Sequence, residues 1–467
     1  VCVCQRPFEL THRFMQLLPC LLCLWLGLCA ASDFADVLAR AARVKHDIVS
    51  WRRELHRWPE LNYQEHKTSK FVQKVLDEIG LNYTTGWGVN TRQDRIPGHG
   101  GTGIVVDIGT GAPPIVALRA DFDGLPIAEV TAVSFKSENE GLMHACGHDG
   151  HTSMLLGAAK LLKAFRDDGI SGGMSLWPAS LQGTVRLIFQ PAEESGAGAA
   201  RMVEEGVLQD VSRIFGLHLW PSLPSGTIGG RAGYAMGGEE DFDLIIVGRG
   251  AHGAMPHEGI DPIVAGSAVV QAVQVLVSRE TDPLGSAVVS ITIFQAGNAY
   301  NAIPSEVRLG GTLRALTVEL LEKLKQRFIQ VVTNVVAAHL CSLSRVDFSP
   351  DMYLPVLNDV SLWEWLSSSE AGIVGPGGVP FRGELPPTFA SEDFSFFSAK
   401  VPAAFIFLGM GSGSDAASPG YPTNASLHNP GFNIDEDVLP LGAALHVQLA
   451  VQSLVKLGRY TTPTTEL

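Results

Sequence analysis

The sequence predicts an α/β protein in which a mostly parallel sheet covered by helices is interrupted by an inserted two-layer α+β domain. Short β-branched runs alternate with amphipathic helical patterns along most of the chain, which is the βαβ rhythm of a parallel sheet. From about Asp241 the order becomes a compact β-α-β-β-α, enough for a small two-layer unit. The length of 467 residues corresponds to about three domains, or to one large domain with an insert.

The elements of the first domain follow from helical apolar spacing and from β-rich runs between Gly/Pro turns. Helices are predicted over Ala35–Leu61, Gln64–Gly80, His151–Phe165 and Ala197–Gly206, and strands over Ile104–Ile108, Ile115–Ala120, Thr184–Phe189 and Ile214–Leu219. After the insert this domain resumes, with a helix at Ser361–Ser369, a strand at Ala403–Leu408 and a helix at Val438–Leu457.

The insert is predicted from the same signals. Strands are expected over Phe242–Val247, Ala287–Phe294 and Glu306–Ala315, and helices over Pro262–Arg279 and Val318–Leu340. The predicted boundaries are therefore 32–238 and 349–467 for the two parts of the first domain, and 239–348 for the insert.

Residues 1–31 are predicted to be a signal-peptide-like segment. Arg6 and Arg13 precede an apolar run from Leu17 to Ala31, which is shorter than the roughly 20 residues of a membrane span and ends in small residues. An uncleaved membrane anchor is the alternative. The segment predicts the secretory pathway, either the ER lumen or the outside of the cell, with no stable membrane span after processing.

Composition excludes several classes of protein. The formal net charge of −14 argues against a nucleic-acid partner, which would require a basic face, and 46% hydrophobic residues exclude a disordered chain. Five of the seven cysteines lie in the first 29 residues, which leaves only Cys146 and Cys341 in the body. Two cysteines cannot form a disulfide framework, so Cys146 is either simply buried or has a chemical role.

Residues capable of binding metal collect where predicted strands end. In open α/β sheets, sites lie beyond the carboxyl ends of the strands. Three such ends are followed by candidate ligands: Asp121 and Asp123 after Ile115–Ala120, Glu193 and Glu194 after Thr184–Phe189, and His218 after Ile214–Leu217.

The densest group of candidate ligands is Met143–His151, which holds one cysteine, three histidines and one aspartate. Thiolate, imidazole and carboxylate all bind divalent transition ions, although such histidines can also simply cap a helix. In the Glu193-Glu194 pair, one carboxylate can bind metal while the other takes a proton from water; the alternative is a solvated helix start. His218 could equally be a core histidine, and His428 is a loop histidine whose role stays open.

Five motifs occur in an order that resembles the M20 metallopeptidase/amidohydrolase family. The closest branch comprises plant auxin-amino acid conjugate hydrolases and bacterial hippurate and N-acyl-amino-acid amidohydrolases, and the resemblance extends from about Ile48 to Val451. The motifs are Leu-Arg-Ala-Asp-Phe-Asp-Gly-Leu-Pro, Met-His-Ala-Cys-Gly-His-Asp-Gly-His, Phe-Gln-Pro-Ala-Glu-Glu, Gly-Leu-His-Leu-Trp-Pro and Leu-His-Asn-Pro-Gly-Phe.

The resemblance implies a zinc-peptidase-like catalytic domain that holds two divalent metal ions, either Mn²⁺ or Zn²⁺. It implies Glu193 as general base and acid, and Asp123 as a carboxylate that orients a ligand. Asp121 stands where more distant relatives have a ligand histidine, and Ser195 stands where glycine is usual. The implied metal ligands are Cys146, His148, Glu194, His218 and His428.

The resemblance also implies that the insert is a lid and dimerisation domain. Gly250–His257 is similar to a lid motif whose histidine reaches the active site of a partner subunit, so a homodimer is expected. His252 would then polarise the scissile carbonyl. Asn298, Asn301 and Arg314 are candidates for binding the substrate carboxylate, although Arg314 could equally be a surface cation on a strand.

The function expected from these observations is metal-dependent hydrolysis of the amide bond in N-acyl amino acids, such as indole-3-acetyl-amino acid (auxin) conjugates. An aminoacylase, a hippurate-type hydrolase or a dipeptidase of the same family is the alternative. A catalytically silent binding protein with the same fold is an alternative of another class. The acyl group itself stays open.

Overall fold

The computed structural model describes residues 34–171, 176–177, 180–375, 378–411 and 422–461. The predicted signal-like segment, residues 1–31, lies outside them. The described chain divides into two compact units. Unit 1 contains the residues up to Gly230, Asp359–Leu385 and those from Val401 onward. Unit 2 contains Arg231–Asn358 and Pro386–Lys400, and the second of these segments lies within the range that the sequence analysis gave to the catalytic domain.

The described residues form sixteen strands, numbered here in chain order. They are β1 Thr84–Val89, β2 Gly100–Gly109, β3 Ile115–Asp121, β4 Thr184–Gln190, β5 Val211–Trp220, β6 Ile228–Gly230, β7 Gly233–Met236, β8 Gly238–Val247, β9 Ala251–His252, β10 Ala287–Ala296, β11 Ala302–Ile303, β12 Glu306–Ala315, β13 Ser342–Phe348, β14 Val356–Asn358, β15 Phe381–Glu384 and β16 Ala403–Gly409.

Unit 1 is built on an eight-stranded sheet in the order β1-β2-β4-β3-β5-β16-β6-β15. Its central strands β4, β3, β5 and β16 are parallel to one another, whereas β1, β2 and β6 join by antiparallel pairs. Every residue of β3 and β16 is buried, as expected for parallel strands covered on both faces. The predicted α/β class with a mostly parallel sheet is therefore confirmed.

Ten α-helices accompany these strands in the described residues, and short helical turns lie between them. The helices are α1 at 34–43, α2 Lys45–Arg57, α3 His66–Ile79, α4 His148–Ile170, α5 Gly198–Glu204, α6 Pro262–Ala272, α7 Val318–Ala338, α8 Val360–Ser367, α9 Ser395–Ser398 and α10 Leu439–Thr461.

The helix α4 lies at the centre of unit 1. It contacts β3 and is itself contacted by α2, α3 and α10, so nearly all of its side chains from His148 to Leu162 are buried. The helix predicted over Ala35–Leu61 is interrupted at residue 44, so it forms α1 and α2. Gly80 ends α3 in the left-handed conformation at φ 80°, which a glycine adopts at no steric cost.

Unit 2 contains a four-stranded antiparallel sheet in the order β10-β12-β8-β13, with α6 and α7 packed on one face. The buried residues alternate along β8, as two layers require. Phe242, Leu244 and Ile246 of β8 join Val269 of α6 and Phe328 of α7 in one apolar core. The strand β13 extends this sheet, although the sequence analysis did not predict it.

Two stretches in the described chain, Pro262–Glu280 and Glu436–Gly458, have the length and hydropathy of a membrane span. Of the apolar window in Glu436–Gly458, 83% is buried inside the protein, because this stretch includes the core helix α10. The apolar window of Pro262–Glu280 is 33% buried and begins with α6. The burial of the Glu436–Gly458 window is what the core helix of a globular unit shows.

Candidate metal centre

The candidate site lies beyond the carboxyl ends of three neighbouring strands of unit 1. The strands β4, β3 and β5 are adjacent and parallel, so their carboxyl ends meet at one edge of the sheet. Asp121 ends β3, the pair Glu193-Glu194 follows β4, and His218 lies near the end of β5. This is the edge at which open α/β sheets place their ligands.

The loop that leads into α4 brings a thiol and two imidazoles together. Gly147 has φ 99°, a conformation that favours glycine, and it joins Cys146 to the first helical residue, His148. The Sγ atom of Cys146 lies 3.6 Å from Nε2 of His218. One ligand atom from each of Cys146, His148 and His218 lies within 4.8 Å of the others, and all three side chains are buried.

A second group adds the late histidine of the chain to the same thiol. Nε2 of His428 lies 3.1 Å from Oε1 of Glu194, and both lie within 4.8 Å of the ligand atom of Cys146. The backbone N–H of His428 donates to the carbonyl of Ala145 at 2.8 Å, which fixes this loop against the cysteine segment. The structure therefore brings together all five ligands that the family resemblance implied.

Glu193, the implied general base, lies beside these ligands. Its Oε2 is 3.9 Å from Nε2 of His148, and Oε1 of Glu194 is also 3.9 Å from that nitrogen. Both acids are largely buried, which distinguishes them from the solvated helix start considered above. One carboxylate of the Glu193-Glu194 pair can therefore bind a cation while the other carboxylate faces that cation.

The chemistry of this donor set fits a divalent cation. Nε2 of His148 is buried and has no hydrogen-bond partner within the described residues, although three carboxylate oxygens surround it at 3.7 to 3.9 Å. Burial alone would lower the pKa of His148, but Asp121, Asp123 and Glu194 outweigh it and raise the pKa to about 10. The carboxylates thus exceed the local positive charge, and a bound metal would replace the imidazole proton.

His218 has the opposite electrostatic environment. Burial and the neighbouring His151 hold the pKa of His218 well below its usual value. Its Nδ1 lies 2.9 Å from the carbonyl of Leu219, so Nδ1 donates and Nε2 is left as the acceptor that faces Cys146. A neutral imidazole with a fixed tautomer is the form that binds metal.

His151 and Asp121 form a buried support behind the ligands. Nδ1 of His151 lies 2.7 Å from Oδ1 of Asp121, and Nε2 accepts the backbone N–H of Leu219 at 2.9 Å. Both ring nitrogens are therefore engaged, and Arg119 pairs with Asp121 at 2.8 Å. The sequence analysis placed His151 in the histidine-rich motif but did not predict that it contacts Asp121 and Leu219. These contacts depend on the pairing of β3 with β5.

Asp123 lies where the resemblance implied an orienting carboxylate. The backbone carbonyl of Asp123 lies 2.9 Å from Nδ1 of His148, and its Oδ1 lies 3.3 Å from the same nitrogen. Its two carboxylate oxygens also accept the backbone N–H groups of Glu193 and Glu194 at 3.0 and 2.9 Å. Asp123 therefore contacts both a candidate ligand and the loop that carries the candidate base.

Unit 2 holds the predicted lid residues. His252 is exposed on β9, which pairs with β11, and the N–H of Gly253 donates to the carbonyl of Asn301 at 2.7 Å, so His252 and Asn301 are neighbours. Asn298 is also exposed. Arg314 on β12 pairs with Glu239 and donates to the carbonyl of Phe389 at 2.8 Å. The substrate-binding roles of these side chains stay predictions.

Comparison with known proteins identifies the family. The model for peptidase family M20/M25/M40 matches residues 117–452. This chain belongs to that family. The IAA-amino acid hydrolase ILR1-like 2 of Arabidopsis thaliana is 42% identical over 419 residues, which cover 89% of this chain and 87% of that protein. The N-acetyl-L-cysteine deacetylase of Bacillus subtilis is 35% identical over 401 residues, which cover 85% of each chain.

A solved structure agrees with this M20 assignment. A dinuclear metal-binding peptidase of the M20 family from Bacillus subtilis superposes with a TM-score of 0.68 at 32% identity, covering 89% of this chain and 99% of that one. The predictions of the family, of the fold and of a metal-dependent amidohydrolase that acts on N-acyl amino acids are therefore confirmed. The individual roles of the site residues stay predictions.

Proposed function

We propose that this M20 protein hydrolyses indole-3-acetyl-amino acid conjugates or closely similar N-acyl amino acids. The observation that carries the proposal is the convergence of Cys146, His148, Glu194, His218 and His428 beside Glu193 at one sheet edge. The Arabidopsis relative at 42% identity is named an IAA-amino acid hydrolase, which supports this substrate class.

We propose that the centre holds two divalent ions, Mn²⁺ or Zn²⁺. Cys146 lies in two overlapping donor groups, one with His148 and His218 and one with Glu194 and His428, which supports two adjacent positions. When bound, such ions would polarise the substrate carbonyl and lower the pKa of an attacking water. The thiolate of Cys146 favours Zn²⁺, whereas the carboxylate and imidazole donors also suit Mn²⁺.

Glu193 performs the proton transfers in this proposal. Its buried carboxylate takes a proton from the water that attacks the acyl carbon, and it returns that proton to the nitrogen of the leaving amino acid. Asp123 holds the backbone of Glu193 during both steps through the 3.0 Å hydrogen bond to its N–H. The products are a carboxylic acid and a free amino acid.

An aromatic side chain beside the centre supports an apolar acyl group. Trp220 ends β5, is half-buried, and its ring centroid lies 5.6 Å from that of His218. It packs on Phe407 at 4.4 Å, which holds the indole in place. A planar apolar wall next to polar catalytic groups is typical of a pocket for an aromatic ligand.

We assign four predicted lid residues and an apolar patch of unit 2 to recognition and assembly. His252 polarises the scissile carbonyl, and Asn298, Asn301 and Arg314 bind the substrate carboxylate. The homodimer forms through unit 2, where the edge strand β10 exposes Phe294 and the neighbouring helix α6 exposes Ile263 and Val264. An apolar patch on an edge strand and a helix is typical of an interface. Sedimentation of the purified chain tests the dimer, with Val264→Glu as the variant expected to give monomers.

The N-terminal segment directs the protein to the secretory pathway in this proposal. Translation of the chain with microsomes is expected to give a protease-protected and shortened product. A full-length product that remains accessible to protease would contradict this part of the proposal. The outcome is independent of catalysis.

The central test is the release of amino acid from indole-3-acetyl-alanine, benzoyl-glycine, acetyl-cysteine and dipeptides, with and without chelator. We expect chelator-sensitive cleavage of the acyl conjugates, fastest for the indole-3-acetyl substrate. Glu193→Gln is expected to lose about 100-fold or more in kcat while it retains metal, whereas Glu194→Gln is expected to lose metal as well. Cleavage of dipeptides alone would favour the dipeptidase alternative, and a metal-loaded protein that cleaves no substrate would favour a binding protein.

The role of Trp220 is tested within the same panel. Trp220→Ala is expected to reduce kcat/KM for the indole-3-acetyl conjugate about tenfold more than for the acetyl conjugate, since a wall contact contributes only to the larger group. Trp58→Ala, which changes another half-buried tryptophan at the end of α2, serves as the matched control. Equal losses for both substrates would refute the wall.

A further inference from the structure

The loop that carries Glu193 and Glu194 has an unusual backbone. Ala192, Ser195 and Ala197 have φ of 57°, 74° and 51°. Residues other than glycine adopt this left-handed region rarely, because Cβ then approaches the following carbonyl oxygen. Three such residues within six positions persist only when the surrounding structure holds them.

Two buried carboxyl groups accept the amides of this loop. The N–H of Ala192 donates to Oε1 of Glu65 at 2.9 Å, and those of Glu193 and Glu194 donate to Asp123 at 3.0 and 2.9 Å. Three consecutive N–H groups are thus bound by side chains from two other segments. Glu65 is fully buried and Asp123 is 1% exposed, so water does not replace either acceptor.

The segment that contains Glu65 contacts the loop at two further points. Nδ2 of Asn62 donates to the carbonyl of Glu194 at 3.0 Å, and the hydroxyl of Tyr63 donates to the carbonyl of Gly196 at 2.5 Å. Glu65 is anchored through the oxygen that faces the loop, since its Oε1 also accepts the N–H of Tyr63 at 2.9 Å. Its other oxygen, Oε2, accepts the hydroxyl of Thr102 at 2.9 Å and does not contact the loop. The acceptor for Ala192 is therefore fixed in place.

We infer that Glu65 is a positioning residue for catalysis: it holds Ala192 in the left-handed conformation and thereby sets the direction in which the side chain of Glu193 leaves the loop. This inference rests on the proposed role of Glu193 as the base. Without the acceptor at Oε1, the residue Ala192 relaxes toward negative φ and the next peptide rotates. The carboxylate of Glu193 then moves relative to the ligands, and its proton transfers slow.

The test compares variants that retain or remove the acceptor. Glu65→Gln keeps an oxygen for the amides of Tyr63 and Ala192 and places an N–H toward Thr102. Glu65→Met has similar length and no strong acceptor. Thr102→Val is the matched control, because it removes the contact to the other oxygen and leaves the Ala192 contact intact. If Glu65→Met does not fold, Glu65→Asp replaces it, since its carboxylate is one methylene too short to reach Ala192.

Three quantities are measured on the metal-loaded protein: kcat and KM for an acyl conjugate, bound metal, and hydrogen exchange of a peptide covering residues 190–197. Glu65→Met is expected to lose on the order of 100-fold in kcat with KM within about twofold, and to exchange faster in this peptide than wild type. Glu65→Gln and Thr102→Val are expected to remain close to wild type in all three measurements.

Two results would overturn the inference. One is a folded Glu65→Met or Glu65→Asp variant with wild-type kcat and wild-type exchange, and the other is a Gln variant as impaired as the Met variant. If the wild-type protein cleaves no N-acyl amino acid, the proposed function fails, and the exchange of residues 190–197 alone decides whether Glu65 holds the loop.

Discussion

The buried Asp149 carboxylate should make one of the largest single contributions to the stability of unit 1. Asp149 follows the candidate ligand His148 at the start of α4 and is fully buried. Its Oδ2 lies 2.9 Å from Nε of Arg52 and 2.7 Å from Nδ1 of His56, both on α2. Asp149→Asn keeps the shape of the side chain, but it removes the negative charge that faces Arg52 and His56. Glu436 and Glu129 are the second carboxylates beside these two groups.

The expected cost follows from the two lost interactions. A hydrogen bond to a charged group contributes about 1.5 to 3 kcal/mol, and breaking a buried pair by removing one partner costs about 3 to 5 kcal/mol. We therefore expect Asp149→Asn to lower the free energy of unfolding by about 3 to 5 kcal/mol at pH 7. Asp437→Asn is the matched control, because Asp437 is 80% exposed and pairs with Lys45 at 2.7 Å, so its loss should cost below about 1 kcal/mol.

The same prediction has a pH dependence. Burial alone would raise the pKa of Asp149, but Arg52 and His56 outweigh it and hold the pKa well below its usual value. A carboxyl with a lowered folded-state pKa stabilises the protein fully above its unfolded pKa of about 3.9, and this stabilisation is lost as the pH falls toward the folded value. The difference between wild type and Asp149→Asn should thus shrink below about pH 4, and because Asp149 also raises the pKa of His56, it should decrease as the pH rises above about 6.5.

Urea unfolding of wild type and both variants at pH 7, 5 and 3, followed by tryptophan fluorescence, measures these differences. A cost at pH 7 no larger than that of Asp437→Asn would contradict the expected loss of a buried ion pair. A difference that does not shrink at pH 3 would show that lost packing, and not the charge, accounts for the effect.

Three further predictions concern the site and its loop. Burial and Asp123 raise the pKa of Glu65 to about 8, so the folded protein keeps this proton at a pH where the unfolded chain loses it. The free energy of unfolding should therefore fall as the pH rises from about 4.5 to 8. Glu65→Gln should lack this fall, so its free energy of unfolding should exceed that of wild type by up to about 5 kcal/mol at pH 8 in chelator, and parallel pH profiles in urea unfolding would contradict this prediction. Ser195→Gly should raise the free energy of unfolding by about 0.5 to 1 kcal/mol. Exposed Ser195 has φ 74°, and glycine removes the strain of that conformation at some entropic cost. A lower urea midpoint for the variant than for wild type would contradict this prediction. Cys146→Ser should weaken Zn²⁺ binding in calorimetric titration at least about tenfold more than Mn²⁺ binding, because an oxygen donor replaces a soft thiolate; equal losses would argue against Cys146 as a ligand.

The sequence was most informative where local chemistry decides the structure. β-branched runs and apolar spacing predicted β3, β4 and β5 and the helix that became α4, and the ends of those strands predicted where the ligands gather. Short strands were not predicted, among them β6 and β15, because these two pair with each other although they lie far apart in the chain. The position of His428 next to Cys146 and Glu194 likewise required the fold, or the family resemblance, to become visible.

Local sequence patterns were therefore sufficient to predict the α/β class, the sheet edge and the residue types that suit a divalent metal. The tertiary structure alone decided that Glu65 contacts the loop of Glu193, that His151 supports Asp121, and that Arg314 pairs with Glu239. The physical reason is that propensity and periodicity act over a few residues. Buried polar groups instead find their partners across the chain, and those partners depend on which segments the apolar core brings together.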